Sequence, residues 1–283
     1  MCCEVLLEQF IQTLASGTLH ATYSGKQLMQ LLDAWAREAS GNQEFPQMAF
    51  AMVERIYKIM PPYATLLYAL NRFCLYLEGK ADLYEVIEQE TVSKEKIIGN
   101  LLKDGTIIGT FTFSQTLCSC FIQNKKGKDF SIIVTESAPN NDGVETAKTL
   151  ERAGISCITV PDADMDWLAQ QVDVAIFGCE GVLPDGSVIT KVGQSQLAAC
   201  CEKRNKPVYI YAGRTKLIPG PFYGFKNKVS NRFQQGSISC RNFDVTLRRC
   251  ITGIVTEAGI LSPDGIANFV KYPVSAFLAK IIS

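Results

Sequence analysis

Histidine is almost missing from this sequence: His20 is the single one in 283 residues. Multi-histidine metal sites are thereby excluded, and a histidine-based catalytic triad has only that residue to be built around. Net charge is missing too, because 28 Lys+Arg cancel 28 Asp+Glu, so no global field favours nucleic acid or an anionic membrane. No C-x-x-C pair occurs among the cysteines at 2, 3, 74, 118, 120, 157, 179, 200, 201, 240 and 250, which excludes zinc ribbons and fingers. Most of these thiols sit in apolar runs, such as Cys157 in ISCITV and Cys179 in AIFGCEG, where cysteine acts as a small hydrophobe. The opening MCCEVLLEQFIQTLA has no basic segment and carries Glu4 and Glu8, unlike a secretory signal. No apolar run reaches the roughly 18 residues that span a bilayer. Neither G-x-G-x-x-G nor G-x-x-x-x-G-K-[ST] is present, so dinucleotide and P-loop readings lose their main support. The expectation is a reduced, soluble, cytoplasmic protein with no metal site, no cofactor, no membrane contact and no evident nucleic-acid site.

What is present is apolar mass. Hydrophobic residues make up 47% of the chain, enough for a sizeable core in one large domain or two smaller ones. To about residue 100 the periodicity is helical. Val5, Leu6, Phe10, Ile11 and Leu14 form one apolar face, and Ser24 stands as a cap before Leu28, Leu31, Leu32 and Trp35. A third helix through Ala49, Met52, Val53 and Ile56 stops at Pro61 and Pro62, since proline cannot continue a helix. Ala64 to Leu77 is a fourth helix, and Leu83 to Leu102 a fifth.

Beyond Gly105 the pattern changes. Short β-branched or aromatic runs appear at 106–113, 131–136, 156–160, 174–178 and 207–212, with helix-like stretches at 115–123, 143–153, 165–171 and 193–203. Continuous apolar strands alternating with helices predict a parallel sheet covered on both faces. A last run, Ile251 to Leu261, reads as one further strand and turn. The fold class is therefore α/β, a helical N-terminal domain (1–104) followed by a Rossmann-like doubly wound parallel-sheet domain (105–283). Such sheets bind ligands beyond the carboxyl ends of their strands.

The strand ends carry the candidate site. Glu180 follows VAIFGC and Lys191 follows the turn at Pro184–Gly186, so a carboxylate and an ammonium face one crevice. Together they polarise a substrate or shuttle a proton, or else they form an ion pair that orders the loop. Glu136 ends the strand SIIVTE and serves either the ligand or the loop. Thr112 and Ser114 precede a helix, where they bind an anion with the helix N-terminus or simply cap it. The basic stretches NKKGK (124–128) and KNKVSNR (226–232) are solvated surface, or contacts for RNA or an acidic protein. Cys118 and Cys120 lie on opposite sides of their helix and so do not share one ion.

Three segments carry a resemblance: SIIVTESAPNNDGVETAKTLERAGI, DVAIFGCEGVLPDGSVITKVGQSQLAACCEKRNKPVYI and FDVTLRRCITGIVTEAGILSP. They resemble the family of the alpha, beta and delta regulatory subunits of eukaryotic translation initiation factor 2B, which includes isomerases of ribose-1,5-bisphosphate and methylthioribose-1-phosphate. The resemblance implies a helical domain, a Rossmann-like domain and dimerisation. It also implies a catalytic cysteine after the first strand and an aspartate in a G-A-D motif. Those positions hold Thr112 and Glu180 here, and the family's N-K pair becomes Thr190–Lys191. Its phosphate-gripping arginines fall at Thr22, Met60 and Ala138. A threonine hydroxyl does not replace an ionisable thiol, and lost guanidinium forks cost charge-assisted hydrogen bonds.

The resemblance points to the regulatory alpha-type branch: a non-catalytic subunit that forms a homodimer or a hetero-oligomer with related subunits. Two other readings stay open. One is an isomerase-like enzyme in which Glu180 is the acid/base and Lys191 its electrostatic partner. The other is a sensor that binds a sugar phosphate or nucleotide through Thr112, Ser114, Glu136, Glu180 and Lys191.

Overall fold

In the computed structural model, residues 3–15, 21–81, 92–230, 232–235, 237–270 and 272–283 are described. Four helices come first: α1 (Cys3–Ala15), α2 (Ala21–Glu38), α3 (Phe45–Ile59) and α4 (Ala64–Leu77). Each turns an apolar stripe inward, and α3 ends where Met60 turns extended ahead of Pro61. Ser24 is not a cap. The helix begins at Ala21, three residues earlier, and Ser24 is buried inside it. Of the fifth expected helix, α5 (Val92–Leu101) is described, whereas 83–91 lie outside the described residues. His20 and the side chain of Thr22 lie outside them as well.

The α/β part follows as β1 (Ile107–Thr110), α6 (Gln115–Asn124), β2 (Ser131–Thr135), α7 (Asp142–Arg152), β3 (Ser156–Val160), α8 (Met165–Gln171) and β4 (Val174–Gly178). Then come β5 (Gly181–Val182), β6 (Val188–Lys191), α9 (Gln194–Lys203) and β7 (Val208–Tyr211). The chain finishes with β8 (Arg232–Gln235), β9 (Ile238–Arg241), β10 (Phe243–Thr246), β11 (Gly253–Thr256), β12 (Gly259–Leu261), α10 (Ile266–Phe269) and α11 (Ala276–Ile282). The main sheet has the order β12-β11-β7-β4-β1-β2-β3, parallel except for β12. Helices cover both faces because the strands are apolar on both. Ile108, Ile132 and Ile176 pack towards α5, α6 and α7, while Ile133, Ala175 and Phe177 pack towards α8 and α9.

Three readings of the sequence need correction. The run 106–113 is a strand only to Thr110, because Thr112 turns to φ 56°. The run Ile251–Leu261 is two antiparallel strands, β11 and β12, joined where Gly259 takes φ 117°. Two small antiparallel sheets, β10-β6-β5 and β8-β9, were not expected; their strands of two to four residues leave too little pattern to read.

Packing crosses the 104/105 boundary. Phe222, Phe225, Val229, Leu278 and Ile282 join the core of α1 to α4, whereas Ile98 of α5 packs with the sheet. Each such fully buried side chain stabilises the fold by about 1.5–3 kcal/mol. This interleaving brings the start of α4 against the strand ends, where the amide of Ala64 donates to the carbonyl of Glu180 at 2.9 Å.

Candidate functional site

Strand order reverses between β1 and β4: the chain runs outward through β2 and β3, then returns to the other side of β1. Loops leaving such a switch point diverge and open a crevice. Thr112 and Ser114 leave β1 on one side, and Cys179 and Glu180 leave β4 on the other. Ser114 caps α6, its Oγ accepting from the amide of Leu117 at 3.4 Å. It also lies over Gly178, where a Cβ would come within 3.0 Å of that oxygen.

Thr112 is held in the left-handed region, a conformation costing a β-branched residue on the order of 1–3 kcal/mol. Three bonds fix it there. Its amide donates to Ser137 Oγ at 2.9 Å, its carbonyl accepts from Thr146 Oγ1 at 2.7 Å, and its own hydroxyl donates to Asp142 Oδ2 at 3.3 Å. Asp142 is the first residue of α7, and the same Oδ2 lies 3.2 Å from Lys191 Nζ. Gly143 makes this close approach of α7 to β2 possible, since a Cβ there would sit 1.7 Å from the carbonyl oxygen of Thr135.

Glu180 joins the group through Tyr63, which stands between Pro62 and the start of α4. Burial pushes the Tyr63 phenol well above its usual value, and the carboxylates of Glu180 and Asp142 push it further. Tyr63 also meets Phe243 edge-on at 5.8 Å, and Phe243 is the register partner of Lys191 between β10 and β6. Asp142 thus joins Thr112 to Lys191 beside the switch point, Glu180 and Asp142 both act electrostatically on Tyr63, and Ser114 follows Thr112 at the start of α6. Glu136 is turned elsewhere: its carboxylate accepts from the amide of Asp162 at 3.4 Å, on the β3 side. Asp162 in turn accepts from the amides of Ser137 and Ala138 at 2.9 and 2.7 Å.

Two carboxylates central to this region were missed by sequence reasoning. Asp142 lies in the run APNNDG, which reads as an ordinary loop. Asp244 lies in FDVT, within a segment that carries the resemblance, yet it was not singled out. Its buried carboxylate accepts from Thr190 Oγ1 at 2.8 Å, Ser195 Oγ at 2.6 Å and the Gly193 amide at 3.2 Å, fixing β6 and the start of α9 behind Lys191.

The chemistry available is limited. Burial pushes the Cys179 thiol, beside Glu180, up to about 12, and the Cys118 thiol to about 11, so neither is an activated nucleophile. Cys118 faces Thr146 and Cys120 faces Glu95, on opposite sides of α6. Met60, at a position where the resemblance puts an arginine, is buried in the helical core. Among the described residues no cluster of His, Cys, Asp and Glu is arranged to hold a metal ion, and no helix is long and apolar enough to cross a membrane.

Comparison with known proteins agrees with this architecture. The model of the IF-2B, initiation factor 2 subunit family, matches residues 70–263. A putative translation initiation factor eIF-2B subunit 2-like protein of Pyrococcus horikoshii is 32% identical over 74% of this chain and 79% of its own. A ribose 1,5-bisphosphate isomerase of Haloferax volcanii is 31% identical over 71% of this chain and 64% of its own. The crystal structure of a tetrameric eIF2B-beta2-delta2 complex from C. thermophilum contains a chain with the same fold, at a TM-score of 0.75, 16% identity and 95% coverage of each chain.

Proposed function

The chain belongs to the initiation factor 2 subunit family, and from that premise we propose that it is a non-catalytic subunit of a translation-initiation-factor assembly. It self-associates or joins related subunits and works in the cytoplasm, in keeping with its likeness to a chain of a tetrameric complex. The observation that carries the non-catalytic part is the state of the crevice. The hydroxyl of Thr112 is donated to Asp142, Lys191 is paired with the same carboxylate, and the adjacent thiol of Cys179 is held protonated. No group there is poised as a nucleophile, and the guanidinium forks that would hold a bisphosphate are replaced by Met60 and Ala138.

The isomerase-like reading keeps one specific support, that Glu180 lies beyond β4 at the switch point and acts, with Asp142, on the buried Tyr63 phenol. Turnover separates the two. Purified chain incubated with ribose-1,5-bisphosphate or methylthioribose-1-phosphate is expected to give no product above buffer. Product formation abolished by Glu180→Gln would establish the enzyme instead.

A further inference from the structure

The crevice holds an ammonium that is already neutralised from within. Lys191, with 14% of its side chain exposed, has Asp142 as its carboxylate partner at 3.2 Å. Asp142 is not a loose surface group. It opens α7, where the helix dipole favours a negative charge, and Thr112 Oγ1 donates to the oxygen that pairs with Lys191. The backbone behind it is fixed, because the Gly143 amide donates to the Glu136 carbonyl at 3.1 Å and Gly143 packs directly on β2. Glu180 adds a second carboxylate, close enough to act on the same Tyr63 phenol as Asp142. The other ammonium nearby, that of Lys216, donates to the Cys179 carbonyl, so of the two the charge of Lys191 is the one met directly by a carboxylate within the chain.

We propose that Asp142 is a built-in anion that occupies Lys191 and closes the crevice to phosphorylated ligands. An incoming phosphate meets a cation already satisfied and, beside it, the carboxylate of Asp142, and such like-charge juxtaposition costs several kcal/mol. The site accordingly selects uncharged or cationic ligands, and Asp142 is its specificity-determining residue. The inference rests on reading this crevice as the ligand site, and it holds whether or not the chain assembles with other subunits.

The test uses the full chain with inorganic phosphate and ribose 5-phosphate as probes, at constant ionic strength balanced with chloride. Binding is read by calorimetry and by thermal shift. Wild type is expected to show no response at millimolar probe. Asp142→Asn, which keeps shape and hydrogen bonding but removes the charge, is expected to bind at least about tenfold more tightly. Asp142→Ser repeats the measurement with a smaller uncharged residue, in case the amide disturbs α7. In the Asp142→Asn/Lys191→Met double variant the gain should vanish.

Wild type binding phosphate as tightly as the folded Asp142 variants would overturn the proposal. So would a gain that survives loss of Lys191, or folded Asp142 variants that gain nothing. The mass of the assembly, measured alongside, reports on the subunit reading, so the two fail separately.

Discussion

A carboxylate and a threonine decide the character of this crevice, and neither role is visible from residue type alone. Lys191 ends β6 of a small antiparallel sheet that the pattern did not announce, whereas the positions of Thr112, Ser114 and Glu180 just beyond β1 and β4 were legible because apolar runs precede them. Asp142 was not, since its partners Lys191 and Thr112 lie 49 and 30 positions away in the chain and meet it only through the sheet topology. Lys228 was equally hidden inside a run that reads as a solvated basic patch. It donates to the carbonyls of Lys58 and Met60, at 3.4 and 3.3 Å, closing the end of α3, and it lies 4.4 Å from the centre of the Tyr57 ring. Burial pushes its ammonium from 10.5 down to about 8. Between those values the unfolded chain holds a proton that the folded chain has released, so this group makes stability rise with pH across that window. Below pH 8 both states are protonated and the contribution is flat. The stability of wild type relative to Lys228→Met, from urea unfolding, should therefore increase from pH 8 to pH 10.5. A difference that does not change with pH would contradict this.

Elements were legible where punctuation is strong. The bounds of α4 follow from Pro61 and Pro62 ahead of an apolar run, and α8 from the turn residues that flank it. The shortest strands were not: β5, β8 and β9 are two to four residues long and pair within local hairpins, and β6 gains its second partner, β10, from far along the chain. The start of α7 is the element junction on which the crevice depends. Gly143→Ala forces a Cβ onto the Thr135 carbonyl, and overpacking against backbone costs about 1–3 kcal/mol or more. Gly220→Ala, where a Cβ meets nothing, serves as the control. The expected result is a urea midpoint lowered clearly by Gly143→Ala and little by Gly220→Ala. Equal, small effects would mean that α7 is free to move off β2.

At the scale of the molecule, the helical N-terminal region and the sheet are completed by each other's chain segments. The change of period near residue 105 announced two architectures, but it could not announce that Leu278 and Ile282 return to the helical core. Asn71 and Glu78 of the helical layer receive Ser275 at 2.9 and 2.6 Å, pinning that return. Leu278→Ala, at a fully buried position, should cost about 2–5 kcal/mol. With Trp167 replaced by phenylalanine, Trp35 alone reports the helical layer, and its midpoint should fall together with the far-UV midpoint. A loss confined to one probe would show that the layers unfold separately. The central claim concerns assembly, and the solution mass of the purified full chain across micromolar concentrations, by sedimentation, tests it most directly. The account predicts a species of at least twice 31.2 kDa, alone or with co-expressed family subunits. A 31.2 kDa monomer at every concentration, with or without those subunits, would contradict it.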